Sequence, residues 1–538
     1  MRPTGAAAYS DGRGAFLPSV ERVEDGRRIQ GERIVRADAV VIGTGAGGAP
    51  VAKELAEGGM RVVMLEEGPR HTTDDLTARP REMTARLYRD AGQQATLGNV
   101  PILLPLGKAV GGTTLVNSGT CFRTPEPVLE LWAREFGLEA LTPDELDPFF
   151  RRVERELNVS QVPPDLAGNN ALVAKRGADA LGWSGDFLYR NVRGCVGSGV
   201  CAFGCPTSAK QHTGITYVPR AWEAGAVTYS STLAREIELR GGRARGVVAS
   251  TAGGGTLRVQ ADIVVIACGA IHTPLLLRRN GLGGGSGQLG KNLAIHPATA
   301  VRARFDERID MAKGVPQSYY VDEFAGERIM FEGAAGPPDY LAMTFPFSRE
   351  RHRELMLDFP RLAQFGVMVS DRSRGEVRER LGRTEVRYDL CPDDVAAFKR
   401  GVELLTELYW AAGAKTVYQP VRGIDELHHG DPGPLPGREL RASDLTLMAF
   451  HPLGSARADA RPEHGVVDGD LRLHGAEGVY VADASAVPSS LGGNPQITIM
   501  ALATRLAFHL LGKAPPLEEP EPEAMAQPRI HAAHAAAA

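Results

Sequence analysis

A short apolar run that breaks into glycines and continues as a helix is the feature that most constrains this chain. The sequence reads Ala39-Val40-Val41-Ile42-Gly43-Thr44-Gly45-Ala46-Gly47-Gly48, and a helix-like segment follows from Pro50 to Glu57. Gly43 permits a tight turn, Gly45 lets the backbone approach a pyrophosphate, and Gly48 lets the helix pack closely on the strand. This order predicts a dinucleotide held at a helix N-terminus, where free backbone N–H groups face the phosphates.

A second apolar run supports the same interpretation. Residues 61–65 read Arg-Val-Val-Met-Leu and lead into Glu66, which lies 18 residues after Gly48. A carboxylate at this distance can accept hydrogen bonds from the hydroxyls of an adenosine ribose. Strand, turn, helix, strand and acid therefore occur in the order that a nucleotide-binding unit requires.

Length and charge exclude several classes of protein. The chain has 538 residues, 43% of them hydrophobic, which predicts two or three domains with a substantial core. Its net charge of −4 offers no basic field for nucleic acid, so a small-molecule partner is expected. Residues 1–20 lack the apolar core of a signal peptide, and no run of 18 apolar residues occurs. We therefore expect a cytoplasmic protein without a transmembrane segment, and peripheral membrane contact remains open.

Several blocks along the chain resemble one enzyme family. The C-terminal blocks 450–455 (Phe-His-Pro-Leu-Gly-Ser), 483–488 and 492–498 resemble the C-terminal signature of the glucose-methanol-choline (GMC) flavoprotein oxidoreductases. Residues 269–277 are similar to the second signature of that family, and residues 107–119 to its first. The matching blocks follow the family order over residues 39 to 505. The resemblance implies an α/β chain with a discontinuous Rossmann-like FAD-binding domain and an α+β substrate domain with an antiparallel sheet.

The composition and the motifs along the chain also predict domain boundaries. Residues 1–35 are predicted to form an N-terminal arm over the surface, and residues 36–296 the first part of the FAD-binding domain, with a cysteine-rich loop at 194–206. Residues 297–440 carry aromatic and methionine segments without a cofactor motif, and we assign them to the substrate domain. Residues 441–513 complete the FAD-binding domain, and residues 514–538, rich in Pro, Glu and Ala, are predicted to be disordered.

By the same resemblance, a set of residues is expected to bind FAD. Asp483 follows a predicted strand where the family contacts the pyrophosphate and ribityl chain. The helix that begins near Pro495 is expected to direct its positive end at the pyrimidine edge of the flavin, which favours the reduced, anionic form. The complete set is Gly43, Gly45, Gly48, Glu66, Gly111, Gly112, Thr113, Asn117, Ser118, Gly119, Ala234, Asp483, Ala484, Pro495, Gln496 and Ile497.

Alcohol oxidation requires a base that takes the hydroxyl proton while hydride moves to flavin N5. His451 matches the catalytic histidine of the family, and the ordinary pKa of histidine, about 6.5, suits this role. Asn494 matches a second active-site position, where an amide can orient the substrate oxygen but cannot act as a base. The remaining histidines that we considered are predicted to be structural or surface residues; they are His272, His296, His428, His429, His464 and His474.

Two further resemblances favour a lipophilic substrate, either a long-chain or a sterol-like alcohol. Asparagine at position 494 is typical of the cholesterol oxidase members, and residues 204–213 with 216–221 are similar to a segment of long-chain fatty alcohol oxidases. Residues 454–457 (Gly-Ser-Ala-Arg) depart from the family pattern, which leaves the substrate pocket less defined than the flavin site. Relatives that use FAD for cyanohydrin cleavage or decarboxylation provide an alternative of another class, and a non-catalytic flavin-binding subunit provides a third.

The cysteine-rich loop bears on the identity of the electron acceptor, which the sequence leaves as either oxygen or a quinone, cytochrome or dye. Cys195, Cys201 and Cys205 are separated by five and three residues, and Pro206 follows. This pattern is similar to the flavin subunits of dehydrogenases in which three cysteines hold a [3Fe-4S] cluster, which would imply oxidation of a sugar or other polyol with a non-oxygen acceptor. The alternatives are buried free thiols, a disulfide, or a zinc site for which His212 is the nearest further ligand.

Overall fold

The computed structural model describes residues 20–345, 349–424, 426–431 and 433–516, without the side chain of Met343. Parts of the predicted N-terminal arm (1–19) and of the predicted disordered tail (517–538) lie outside the described residues. The strands, in chain order, are β1 (Val23–Asp25), β2 (Glu32–Arg36), β3 (Ala39–Ile42), β4 (Val62–Leu65), β5 (Ile102–Leu103), β6 (Val159–Gln161), β7 (Gly185–Phe187), β8 (Tyr189–Asn191), β9 (Val227–Ser230), β10 (Thr232–Arg240), β11 (Arg243–Thr251), β12 (Thr256–Gln260), β13 (Ile263–Ile266), β14 (Pro297–Arg304), β15 (Tyr319–Val321), β16 (Ile329–Gly333), β17 (Leu362–Val369), β18 (Glu376–Arg380), β19 (Arg383–Arg387), β20 (Thr416–Tyr418), β21 (Leu427–His428), β22 (Leu447–Ala449) and β23 (Val479–Val481).

Helices lie between these strands and after the last of them. They are α1 (Gly48–Glu57), α2 (Pro80–Leu87), α3 (Glu126–Phe136), α4 (Pro143–Glu156), α5 (Pro164–Ala167), α6 (Asn169–Leu181), α7 (Tyr217–Glu223), α8 (Gly269–Arg279), α9 (Pro338–Leu341), α10 (Arg349–Leu357), α11 (Pro392–Ala411) and α12 (Gln496–Leu510). No helix in the parts of the chain that the structure describes is long and apolar enough to span a membrane.

A six-stranded parallel sheet forms the centre of the nucleotide-binding half. Its strand order is β1-β9-β4-β3-β13-β23, and every neighbouring pair is parallel. Strands β3 and β4 are buried along their whole length, which is typical of a parallel sheet covered on both faces. The sheet is discontinuous in sequence, because β23 pairs with β13 although more than 200 residues separate them.

A second, largely antiparallel sheet forms the centre of the other half of the molecule. Its order is β21-β20-β14-β17-β16-β15-β7, and β22 and β5 extend it beyond β14. Helices α6 and α11 pack together and against this sheet, and buried side chains such as Val301, Val367 and Leu405 form a core separate from that of the parallel sheet. The predicted fold class, a discontinuous Rossmann-like domain with an α+β domain built on an antiparallel sheet, is confirmed.

The described part of the predicted N-terminal arm contributes to two strands. Residues 23–25 form β1, which pairs with β9 at the edge of the parallel sheet. Residues 32–36 form β2, which pairs with β12 in a four-stranded sheet of order β10-β11-β12-β2. Both are edge strands, and their polar sequences give little of the apolar signal by which strands are predicted.

Candidate active site

The glycine-rich turn after β3 is enclosed by backbone at three of its glycines. A Cβ on Gly43, whose φ is +106°, would lie 2.2 Å from the carbonyl oxygen of Ala267, and one on Gly48 would lie 2.1 Å from that of Gly43. A Cβ on Gly47 would lie only 1.6 Å from the carbonyl oxygen of Ala482. These glycines are therefore required by the packing of the turn itself.

Gly45 differs from these three glycines. A Cβ built on it would meet only the Cα of Gly112, at 3.8 Å. The backbone at Gly45 thus borders open space, as expected if a pyrophosphate lies against it. Gly112 belongs to the 107–119 block, and the backbone N–H of Gly111 donates to Thr44 Oγ1 at 2.9 Å, so the two predicted glycine-rich segments meet in space.

Glu66 lies at the end of β4, beside this turn, and is buried. Its Oε2 accepts from the backbone N–H and the hydroxyl of Thr44, at 3.1 and 2.7 Å, and its Oε1 accepts from the N–H of Gly68. Burial raises the pKa of Glu66 above its ordinary value. The carboxylate oxygens have further lone pairs for a ribose hydroxyl. Glu66 also has a structural role that the sequence did not reveal, because it ties the glycine-rich turn to β4.

Two other predicted cofactor residues lie near the same end of the parallel sheet. Ala234, in β10, is buried two residues after Thr232, whose N–H donates to the carbonyl oxygen of Glu66. Asp483 accepts from the N–H of Gly269 at 2.8 Å and from the hydroxyl of Thr273 at 2.5 Å, and it therefore fixes the start of α8. Both positions fit a nucleotide that crosses the carboxyl ends of the strands.

The first and last predicted flavin segments meet through side chains. Asn117 Nδ2 donates to Gln496 Oε1 at 2.9 Å, and Gln496 Nε2 donates to the carbonyl oxygen of Thr120 at 2.7 Å. Helix α12 therefore begins against the 117–120 loop, with Pro495 as its N-cap residue. Its positive end favours negative charge on a group bound there. Thr113, Ser118, Gly119 and Ile497 lie in these same two segments, and the carbonyl oxygen of Ala484 accepts from the N–H of Gly454.

The structure brings the two predicted catalytic residues together. Asn494 Nδ2 lies 3.3 Å from His451 Nε2, and because an amide nitrogen only donates, the imidazole accepts at Nε2. Burial, together with the neighbouring His296, lowers the pKa of His451 well below its ordinary value. The ring is therefore neutral at pH 7. Its Nδ1 and the Oδ1 of Asn494 are buried and have no hydrogen-bond partner among the described residues.

His296 belongs to this site, although the sequence analysis assigned it a structural or surface role. Its ring centroid lies 5.3 Å from that of His451, and the two rings are nearly perpendicular. His296 Nε2 accepts from the N–H groups of Leu491 and Gly492, which places the ring hydrogen on Nδ1. Burial lowers the pKa of His296 to about 3. The family-like sequence at 290–293 was the only local signal for this residue.

Glu332 is a second residue of the site that the sequence analysis missed. It lies on β16 and is buried, and its Oε2 accepts from Gln317 Nε2 at 2.5 Å. Burial raises the pKa of Glu332 to about 7, although hydrogen bonding with Asn494 and Gln317 opposes this shift. The chain therefore places a carboxyl group that titrates near neutral pH beside one of the two predicted catalytic residues.

The raised pKa of Glu332 predicts a measurable dependence of stability on pH. The folded protein keeps a proton on Glu332 that the unfolded chain releases between pH 4.5 and about 7, so the contribution of this residue to the free energy of unfolding falls over that interval. Glu332→Gln lacks this change. The Tm of the wild type minus the Tm of Glu332→Gln is expected to decrease between about pH 5 and about pH 7.5 and then to stay constant. Glu407→Gln, at an exposed position on α11, is the control, and parallel Tm curves for Glu332→Gln and wild type would contradict the assignment.

An apolar cluster faces these residues. It contains Phe122, Leu188, Tyr320, Met330 and Met368 and is separate from the two large cores of the molecule. The rings of Phe122 and Tyr320 lie 5.3 Å apart in an edge-to-face arrangement. A Cβ on Gly493, next to Asn494, would lie 3.5 Å from Phe122, so the cluster adjoins the catalytic segment.

The cysteine-rich loop is packed against two buried cations. Lys210 Nζ donates to the carbonyl oxygens of Leu115, Asn117 and Cys201, and Arg190 Nε donates to the carbonyl oxygen of Ser118. Burial lowers the pKa of Lys210 to about 8. These two side chains fix residues 115–118, which belong to the predicted flavin segment. The loop therefore contributes to the shape of that segment.

The structure does not support a metal site in this loop. Cys195, Cys201 and Cys205 are free thiols, so the disulfide alternative is not formed. In the described part of the chain, no three His, Cys, Asp or Glu side chains are grouped so that they could hold a metal ion. Arg190 Nη2 donates to the Cys201 sulfur at 3.3 Å, and His212 Nδ1 accepts instead from the N–H of Gly214. The described residues therefore give no support for the [3Fe-4S] and zinc alternatives. They leave free thiols, buried at Cys201 and Cys205 and partly exposed at Cys195.

Comparison with known proteins gives consistent results. A family model described as GMC oxidoreductase matches residues 84–298, and its C-terminal counterpart matches residues 371–503. An uncharacterised GMC-type oxidoreductase of Mycobacterium tuberculosis is 42% identical over 488 residues, which cover 89% of this chain and 76% of that protein. A long-chain-alcohol oxidase of Arabidopsis thaliana is 26% identical over 548 residues, which cover 93% of this chain and 72% of that protein.

A solved structure shows the same fold. A variant of the formate oxidase of Aspergillus oryzae superposes with a TM-score of 0.69 at 16% identity, covering 89% of this chain and 98% of that one. The resemblance inferred from the sequence blocks is confirmed by these comparisons.

Proposed function

Because this chain belongs to the GMC oxidoreductases, we propose that it oxidises a lipophilic alcohol to an aldehyde or ketone, with FAD as cofactor and His451 as base. The observation that carries the proposal is the contact between His451 Nε2 and Asn494 Nδ2, at 3.3 Å, beneath the apolar cluster around Phe122. Oxygen is the acceptor that the similarity to oxidases favours.

The geometry of the glycine-rich turn fits FAD. The open space at Gly45 suits the pyrophosphate, Glu66 suits the adenosine ribose, and the start of α12 suits the flavin ring. Bound FAD supplies the acceptor for the hydride that leaves the alcohol carbon. The start of α12 also stabilises negative charge at the ring.

His451 and Asn494 have different roles at the alcohol hydroxyl. The neutral imidazole of His451 takes the hydroxyl proton at Nε2, where the alcohol hydroxyl replaces the Asn494 amide N–H as the donor. The Nδ2–H of Asn494 that is released in this way donates to the substrate oxygen and positions it. His296 stays neutral and limits the orientations of the His451 ring through their edge-to-face contact.

The apolar cluster supports a lipophilic substrate. Phe122, Met330 and Met368 present flexible or aromatic surface beside the catalytic pair, and such surface binds alkyl or sterol carbon rather than a sugar. The long-chain-alcohol oxidase of Arabidopsis thaliana among the relatives supports the same choice.

Anaerobic reduction of the bound flavin tests the proposal. A series of primary alcohols of increasing chain length should bleach the flavin absorbance, and kcat/KM should rise by up to roughly fourfold per methylene until the cavity is filled. Substrate cleavage without flavin reduction would indicate a lyase or decarboxylase instead. If no alcohol of any length reduced the flavin, the proposal would be refuted.

A further inference from the structure

One face of the large antiparallel sheet carries three small residues that are partly accessible to solvent. Along β14 and β17, Ala298, Ala300 and Gly366 keep partial exposure, whereas the residues directly before and after each of them are buried. Ala298 pairs with Met368 and Ala300 with Gly366, so all three lie on one face. At the opposite edge of β17, Gly366 pairs with Glu332 of β16. Glu332 is hydrogen-bonded to Asn494, so this face of the sheet lies next to Asn494. The small side chains therefore leave a strip of solvent-accessible surface along this face beside Asn494, and we call this strip the channel.

Arg302 lies at the far end of this channel. It follows Ala300 by two residues on β14, so it shares the same face, and it pairs with Gln364 of β17. Its side chain is 6% exposed. The guanidinium lies over the ring of Phe345, 4.7 Å from its centroid, and Nη2 donates to Thr344 Oγ1 at 2.6 Å.

Arg302 lacks the partner that a buried cation normally has. Within the described residues, no carboxylate lies in ion-pair range of its guanidinium, and its Nε has no hydrogen-bond partner. Burial lowers the pKa of Arg302 to about 10, so the group is still charged at neutral pH. An unpaired buried charge is costly to the fold, which is why such charges are normally paired. Among the residues that the structure describes, the Oε1 of neighbouring Gln364 is also buried without a hydrogen-bond partner.

The position of Arg302 sets a distance from the reacting carbon. Six residues separate it from His296, which at about 3.3 Å per residue corresponds to roughly 20 Å along the strand. An extended chain advances about 3.5 Å per three bonds, so a substrate reaching from His451 to Arg302 would have a chain of roughly 17 bonds.

We propose that Arg302 binds a carboxylate at the far end of the substrate, so that the preferred alcohol is a long-chain hydroxy acid. The planar guanidinium forms two parallel hydrogen bonds with a carboxylate, and the anion supplies the missing counter-charge. The alkyl chain would lie over Ala298, Ala300 and Gly366, with its hydroxyl at His451. This inference rests on the proposed alcohol oxidation and adds the class of substrate.

A matched pair of substrates tests the inference in the flavin-loaded protein. An ω-hydroxy fatty acid of about this length should reduce the flavin with a kcat/KM roughly 10- to 100-fold higher than its methyl ester, which lacks only the charge. In Arg302→Gln the preference for the acid should disappear, while the ester is oxidised at nearly the wild-type rate. Arg302→Lys should retain part of the preference. Arg304→Gln, at the end of the same strand and paired with Asp358, should retain all of it.

The fatty acid without the hydroxyl gives an independent measurement on the wild type. It should inhibit competitively and bind at least about tenfold more tightly than its methyl ester. Equal rates for acid and ester, or an equal loss of both in Arg302→Gln, would overturn the carboxylate site while leaving alcohol oxidation intact. If neither acid nor ester reduced the flavin and no other alcohol did, the proposed function itself would fail.

Discussion

Replacing His451 by alanine is expected to lower the rate of anaerobic flavin reduction by an alcohol at least about 100-fold, with FAD still bound. A positioned general base contributes roughly 10²- to 10⁴-fold to such a step, and the structure offers no second neutral imidazole in contact with Asn494 among the described residues. His296, the nearest other ring, already uses its Nε2 to accept two backbone N–H groups, so it cannot replace His451.

The measurement is stopped-flow reduction of the flavin at a fixed concentration of a long-chain alcohol. FAD content should be unchanged, because His451 makes none of the contacts that define the glycine-rich turn. His464→Ala, an exposed histidine near in sequence, should reduce flavin at the wild-type rate. His451→Gln keeps a hydrogen-bonding side chain but no base, and we expect it to resemble the alanine variant. A wild-type rate in His451→Ala would favour a non-catalytic flavin subunit, or a different base.

The second large effect concerns FAD binding. Gly45→Ala is expected to give a folded protein that loses most of its FAD, because its Cβ meets only the Gly112 Cα at 3.8 Å within the protein but projects into the space assigned to the pyrophosphate. Gly43→Ala should instead fail to fold or lose much of its stability. Its Cβ would lie 2.2 Å from the Ala267 carbonyl oxygen, and its φ of +106° is strained for any side chain.

Flavin content and far-UV circular dichroism of the purified variants separate the two effects. The predicted pattern is native secondary structure with little flavin for Gly45→Ala, and little soluble protein for Gly43→Ala. Gly59→Ala, where the glycine also has positive φ but a Cβ would meet nothing within 4 Å, serves as a control for strain alone. Full FAD occupancy in Gly45→Ala would show that the cofactor does not approach the turn at this residue.

The nucleotide-binding half was predictable from sequence because its signals are local. Strands β3 and β4 are uninterrupted apolar runs, and the glycines and Glu66 follow them at short, fixed spacing. The meeting of Asn117 with Gln496 came from family resemblance, since nothing in either segment alone indicates a partner 379 residues away.

The remaining site residues depend on pairing that no local pattern encodes. Glu332 reaches Asn494 only because β16 pairs with β17 in one register, and a shift by one residue would turn its carboxyl to the other face. His296 has a φ of +46°, which is uncommon for a residue other than glycine, and nothing in the local sequence predicts this conformation. Similarly, the spacing of the cysteines suggested an iron–sulfur cluster. The packing of the loop depends instead on the buried side chains of Lys210 and Arg190, which belong to no sequence motif that would have indicated this role.

The pairing of β23 with β13 has a consequence for how the protein is made. During synthesis, β13 leaves the ribosome with one edge free, and its partner at 479–481 follows only after the whole antiparallel sheet has been translated. An open apolar strand edge is a template for wrong association. The nascent chain must therefore carry an unfinished nucleotide-binding sheet while more than 200 further residues are translated, and a chain terminated before residue 479 would expose that edge permanently.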